Sequence, residues 1–261
     1  DREAMIQPGK MSIVSLALVL SCCSFLLLSA CVRLRPIPSA EEIDKLMASV
    51  PPPPSTPVYA AKAFTPGASL KTKEGVVQFS ENRVGELLLP SGKIVASDVF
   101  FSSLAPPPLD RAVTPGKYPV SIAIAHYPSN GGQRIAFAKV AFSTAPIVSW
   151  QLASEEGDPE QRRKNAVYGY GVDSGTGCFT DFETANEMHR MPDTKALCDR
   201  IIAALDGSLP PDCRNADLLI SPGHNLVAFS SGVGDGLYVS YWGLDAKGKV
   251  CALVTDFDLF P

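Results

Sequence analysis

The residues best suited to chemistry fall in two short glycine-rich stretches. Tyr168 to Asp181 reads YGYGVDSGTGCFTD, and Ser230 to Gly236 reads SSGVGDG. Glycine lets backbone approach a ligand closely, while an aspartate beside it accepts hydrogen bonds or holds a cation. Asp173 and Asp235 are the acids in these settings. Two loops of matching chemistry suggest convergence on one cleft, with Asp173, Gly175, Gly177, Gly234, Asp235 and Gly236 as its binding residues. The competing reading is turn chemistry, because aspartate next to glycine is what tight reversals use. Asp181 is placed to cap a helix.

Proton transfer has few other participants. The chain holds His126, His189 and His224. His224, in the turn SPGHN, is the best exposed acid or base, so Asp173, Asp235 and His224 are the catalytic candidates of an enzyme reading. Cys178 follows Gly177 and would need an adjacent histidine to act as a nucleophile. A buried, inert thiol is the expectation, since cysteine usually behaves as a small hydrophobe. Asp256 and Asp258 flank Phe257 and share one face of a strand, where they can pair with arginine or line the cleft. Tyr168, Tyr170, Tyr238, Tyr241 and Trp242 read as core or sheet-surface aromatics, or as a patch receiving a protein or glycan. No CxxC spacing exists for zinc, and the acids match no EF-hand loop. No metal and no cofactor is expected.

The elements that must position these residues are mainly strands. Charged residues make up only 19% of the chain and 23 prolines are spread along it, which favours short strands and many turns over a bundle. From Gly75 the apolar period is two: Val77 and Phe79, Leu87 and Leu89, then Ile94, with breaks at Asn82, Pro90 and Gly92. Phe100 to Pro115 is a proline-rich loop. Val120, Ile122 and Ile124 then alternate with Ser121, Ala123 and Ala125 ahead of Ser129-Asn130-Gly131-Gly132, the clearest hairpin in the sequence. Its return strand carries Ile135, Phe137, Val140 and Phe142, and Ile147 to Leu152 is a further strand. Such strands are expected to bury one face and wet the other. Ser154 to Asn165 is a solvated connection. Asp181 caps a short helix to Arg190, and Asp193 caps another to Leu205 with Leu197, Ile201 and Leu205 as its buried stripe. Leu218 to Ile220, Val227 to Ser230, Leu237 to Trp242 and Val250 to Leu259 complete the strands. The fold class expected is mainly β, antiparallel and sandwich-like, with one or two helices inserted near 182–206.

The ends carry an address. Ile13 to Leu28 is almost wholly apolar, and a start at Met5 supplies Lys10 as the positive charge of a signal peptide. The segment is short of the ~20 residues of a spanning helix. It ends in Leu28-Ser29-Ala30-Cys31, which resembles the lipobox of bacterial lipoproteins. That resemblance implies lipid on Cys31, with Val32 rather than aspartate after it directing the protein to the outer membrane, facing the periplasm. Residues 32–66, with Pro51 to Pro54, read as a flexible tether to one β-rich domain at 67–261. An oxidising compartment permits disulfides among Cys178, Cys198, Cys213 and Cys251. Cys198 with Cys213 is the favoured pair, closing an interval worth about 3 kcal/mol. Net charge is −4 with no basic run, which argues against nucleic acid and leaves the bilayer and a protein as partners.

GYGVDSGTGCFTD at 169–181 and SSGVGDGLYVSYWGLDAKGKVCALVTDFDLF at 230–260 resemble the family called domain of unknown function 4241. GKYPVSIAIA at 116–125 and QRIAFAKVAFS at 133–143 resemble that family's hairpin. The likeness covers about Gly75 to Phe260 and departs at Val233, where the family pattern implies an aromatic residue. It implies a shared fold and a functional surface at the two glycine–acid stretches, and no mechanism. Two functions are therefore expected to compete: an envelope lipoprotein that binds a partner, including an immunity-type role against an incoming toxin, and an envelope hydrolase using the acids of the two loops.

Overall fold

The protein is described from a computed structural model over residues 54–73, 75–101, 105–128, 131–156, 169–208 and 210–260. Among the described residues the strands are β1 (Ser69–Thr72), β2 (Gly75–Leu89), β3 (Ile94–Asp98), β4 (Gly116–His126), β5 (Gln133–Ala141), β6 (Ser149–Leu152), β7 (Tyr170–Val172), β8 (Thr176–Asp181), β9 (Asn215–Ser221), β10 (His224–Ser230), β11 (Gly236–Leu244) and β12 (Val250–Asp256). They form a large sheet in the order β1-β2-β4-β5-β12-β11-β6, with β7 also on β11, and a smaller sheet in the order β3-β8-β10-β9. Neighbouring strands run antiparallel throughout. The β-rich sandwich expected from the sequence is what forms.

The two sheets enclose one core. Ile122, Val140, Trp242 and Leu253 of the large sheet meet Ile94, Phe179, Val227 and Phe229 of the small one. Phe179 and Phe229 pack edge to face with ring centres 4.9 Å apart, a geometry the aromatic quadrupole favours. Helices Phe182–Arg190 and Thr194–Asp206 cover the outer face of the small sheet. Leu197, Ile201 and Leu205 are buried there against Leu226 and Ala228, each worth roughly 2 kcal/mol of gross burial. Both helices start where the sequence places them. Asp181 accepts from Glu183 N–H at 2.8 Å, and Asp193 from Ala196 N–H at 2.9 Å. Asp181 is fully buried and also receives the Ser91 hydroxyl at 2.8 Å, so it ties the first helix to the turn before β3.

Four expectations are corrected. Residues 75–89 form one strand instead of two, because a bulge between Arg83 and Gly85 absorbs the bend without ending the pairing with β4. The β4–β5 hairpin is not wet on its outer face: Val120 to Ala125 are all buried. The cover comes from residues read as tether. Helix Ala60–Ala63 lies on the large sheet, where Ala60 and Ala63 meet Phe79, Ala123, Ala125 and Phe137, and the Pro54 carbonyl accepts from the Tyr241 hydroxyl at 3.1 Å. A flexible tether through Pro66 is therefore shortened at its C-terminal end. The leader, Cys31 and residues 32–53 lie outside the described residues, as do Ser129, Asn130 and Tyr168. Finally, Cys198 and Cys213 are free thiols, as are Cys178 and Cys251. Cys213 is buried in the core between the sheets, whereas the helix bearing Cys198 packs on the opposite face of the small sheet.

The sheets are also clasped along their seam. β1 pairs only with residues 75–78 of β2, so the rest of that edge needs other partners. Buried Asn225 of β10 supplies them: its Oδ1 accepts from Leu88 N–H at 2.8 Å and its Nδ2 donates to Glu86 O at 2.8 Å. Asp217 of β9 accepts from Glu86 N–H at 3.0 Å and from Asn225 Nδ2 at 2.6 Å. A side chain at Gly85 would place Cβ 2.1 Å from Asp217 Oδ2, so only glycine admits the clasp.

Candidate functional site

The register of the small sheet brings the two glycine–acid stretches together. Ser230, at the end of β10, pairs with Thr176, at the start of β8. The chain leaving β10 and the chain entering β8 therefore share one end of the sheet. Ser231 N–H donates to Gly175 O at 3.1 Å, and a Cβ on Gly175 would lie 3.6 Å from Gly234 Cα. The loops are in backbone contact.

A third acid holds the first loop. Asp98 ends β3, and its Oδ2 accepts from Asp173 N–H and Ser174 N–H, each at 2.8 Å. Its Oδ1 accepts from the Ser174 hydroxyl at 2.9 Å and from Phe100 N–H at 2.7 Å. Sequence reasoning missed Asp98. It carries no glycine neighbour, and the amides it binds lie 75 and 76 residues away. Asp173 itself is exposed, and its carboxyl is held above the ordinary value of 3.8 by partial burial, then by the charges of Asp98 and Asp235. The charge of Asp235 thus reaches Asp173 across the two loops. Among the described residues, however, no group of three or more ligating side chains is placed to hold a metal ion.

The second loop is braced from below. Gly234 N–H donates to Ser231 O at 2.7 Å, and the Ser231 hydroxyl donates to Gly234 O at 2.8 Å. The Tyr238 hydroxyl lies 2.7 Å from Gly234 O and 3.1 Å from Ser231 O, one proton serving both. Gly232 has φ of +52°, and a Cβ there would sit 2.8 Å from Phe257 O, so the loop rests directly on the C-terminal chain. Val233 at its apex is 77% exposed.

Other site candidates separate from this surface. Gly177 is buried in β8, where its missing side chain makes room for the Tyr170 hydroxyl and the Phe229 ring, each 3.2 Å from the Cβ position. Gly236 likewise packs against the Tyr238 ring. At both glycines the missing side chain makes room for a neighbouring ring. Cys178 is buried, lies 3.6 Å from the Ser97 hydroxyl, and burial pushes its thiol up to about 12. It is inert, as expected. Tyr170, Tyr238, Tyr241 and Trp242 are all buried, so they form no exposed aromatic patch.

His224 is the chief correction. It opens β10, whereas the loops follow the other end of that strand, six residues on and roughly 20 Å away. Its Nδ1 instead lies 2.9 Å from the buried Thr184 hydroxyl and 3.9 Å from Glu187 Oε2. No proton passes directly between His224 and Asp173 or Asp235 over that span. Asp256 and Asp258 also differ from expectation. β12 ends at Asp256, whose Oδ1 accepts from Asp258 N–H at 2.9 Å. Asp258 then turns with φ of +52°, so the two acids share a local turn and not a strand face.

No curated protein and no solved structure matches the chain. A family described as "Protein of unknown function (DUF4241)" matches residues 87–255, a span that contains β3 through most of β12 and both glycine–acid loops. That span is more than half of the chain and carries the whole small sheet, so the protein belongs to the DUF4241 family.

Proposed function

We propose that this is a lipid-anchored protein of the bacterial envelope whose β-rich domain binds a protein partner through the paired loops, in an immunity-type role. The observation that carries the reading is the geometry of Asp173 and Asp235. They are exposed and held on two loops that are hydrogen-bonded to each other and braced by Asp98 and Tyr238, and the charge of Asp235 opposes ionisation of Asp173. A rigid acidic pair is suited to a basic surface, because an arriving lysine or arginine relieves the repulsion and little loop entropy is lost on binding. The separation of His224 from the acids removes the proton-transfer partner on which the hydrolase reading relied. Lipid on Cys31 would hold the domain at the membrane, and the net charge of −4 suits a basic incoming partner.

The test is capture of partners by the full chain, beside Asp173→Asn, Asp235→Asn and the double variant. The expected result is a specific protein partner whose association slows in the variants and in salt, with the melting temperature unchanged. Capture that is indifferent to both acids refutes the role of the loops. Hydrolysis of a substrate that is lost in the same variants would restore the enzyme reading. Palmitate labelling abolished by Cys31→Ser checks the anchor separately.

A further inference from the structure

A cavity of about 780 Å³ opens beside the second loop, on the outer side of the large sheet. That volume lies in the range of small-molecule sites, and its walls have their chemistry. Tyr59, Leu70, Leu259 and Phe260 supply an aromatic and apolar body. Phe260 is wedged edge-on between Tyr59, at 6.1 Å, and Phe79, at 5.5 Å, so the wall is fixed by packing.

Charge at the mouth is uneven. Lys71 and Lys73 line it from β1 and the turn after it, and among the described residues neither ammonium is paired. Arg134 also lines the cavity but is engaged by Asp212. The one acid on the wall is Asp258, which is the single non-glycine residue with positive φ among those described. Backbone held in that conformation concentrates at sites that bind or switch. Here Asp256 fixes it through the Asp258 N–H, and it turns the chain so that Leu259 and Phe260 close the cavity. Val233, at the apex of the family loop, forms the facing side. Tyr59, Lys71, Lys73, Asp258 and Phe260 all fall outside residues 87–255, so the cavity is built partly from segments beyond the family match.

We infer that this cavity is a binding site for a small carboxylate with an aromatic body, its ring against Tyr59 and Phe260 and its anion between Lys71 and Lys73. Two lysines in a lining that also holds aromatic rings select an anion over a neutral isostere, and the volume admits one drug-sized molecule. The site shares Val233 with the second loop but uses neither Asp173 nor Asp235, and it does not require a protein partner.

The probe is 4-fluorophenylacetate, followed by fluorine NMR with the full chain in phosphatidylcholine nanodiscs. Saturable line broadening is expected, at least tenfold weaker for 4-fluorophenylacetamide and at least tenfold weaker in Lys71→Ala/Lys73→Ala. Val233→Trp, which closes the mouth from an exposed position, should abolish it while circular dichroism is unchanged. Asp173→Asn/Asp235→Asn should leave it intact, which distinguishes this site from the partner surface. No saturable broadening, equal binding of the amide, or binding unaffected by Val233→Trp would overturn the inference.

Discussion

Replacing Asp256 with asparagine should stabilise the protein at neutral pH and leave it unchanged in acid. Asp256 ends β12 half-buried, and burial pushes its carboxyl from 3.8 up to about 6, offset in part by the Asp258 N–H that it accepts. The unfolded chain releases this proton near 3.8, whereas the folded state keeps it until about 6. Between those values the folded state binds more protons, so stability is lost as pH rises and the loss is complete above about 6. Two pH units at about 1.4 kcal/mol each give about 3 kcal/mol, which solvent at the open side of the group reduces to roughly 2. Asparagine keeps an Oδ1 to accept from Asp258 N–H, so the turn survives the change. Urea denaturation of the full chain, followed by tryptophan fluorescence, should show the variant more stable by about 2 kcal/mol at about pH 8 and equal to the parent at about pH 3, with unchanged slope. A variant equally or less stable at the higher pH would refute the argument that burial dominates this carboxyl.

Asp98→Ala should free the Asp173 and Ser174 amides and cost about 1–2 kcal/mol, seen as faster hydrogen exchange at residues 173–175 ahead of any global change. Unchanged exchange there would mean that Asp98 does not hold the loop. Gly85→Ala should cost about 2–4 kcal/mol, since it drives Asp217 off Glu86 N–H and Asn225 Nδ2. Adding Asp217→Gly should recover the steric part, and a double variant as unstable as the sum of both singles would contradict the clasp.

Much of this structure is legible locally. The helix of residues 194–206 is signalled by Asp193 and by the spacing of Leu197, Ile201 and Leu205, and it forms with those three residues buried. The convergence of the glycine loops is legible too, because two like segments at the ends of paired strands meet when the register aligns them. What is not legible depends on pairings distant in sequence. Asp98 looks like any strand-end acid until β3 is placed beside β8, where its oxygens meet the loop amides. The residues through Pro66 read as a flexible tether, since nothing local shows that Ala60 and Ala63 will cover Phe137. His224 reads as an exposed turn residue near the second loop in sequence, yet the extended length of β10 carries it away from the acids.

The central claim is that Asp173 and Asp235 occupy one surface. Its most direct test is carbon NMR titration of the Asp173 side-chain carboxyl in the parent and in Asp235→Asn. The midpoint should stand above the ordinary 3.8 in the parent and fall toward it in the variant, because one of the charges opposing ionisation has been removed. An Asp173 midpoint identical in both proteins would place the two carboxylates beyond each other's influence and contradict the account.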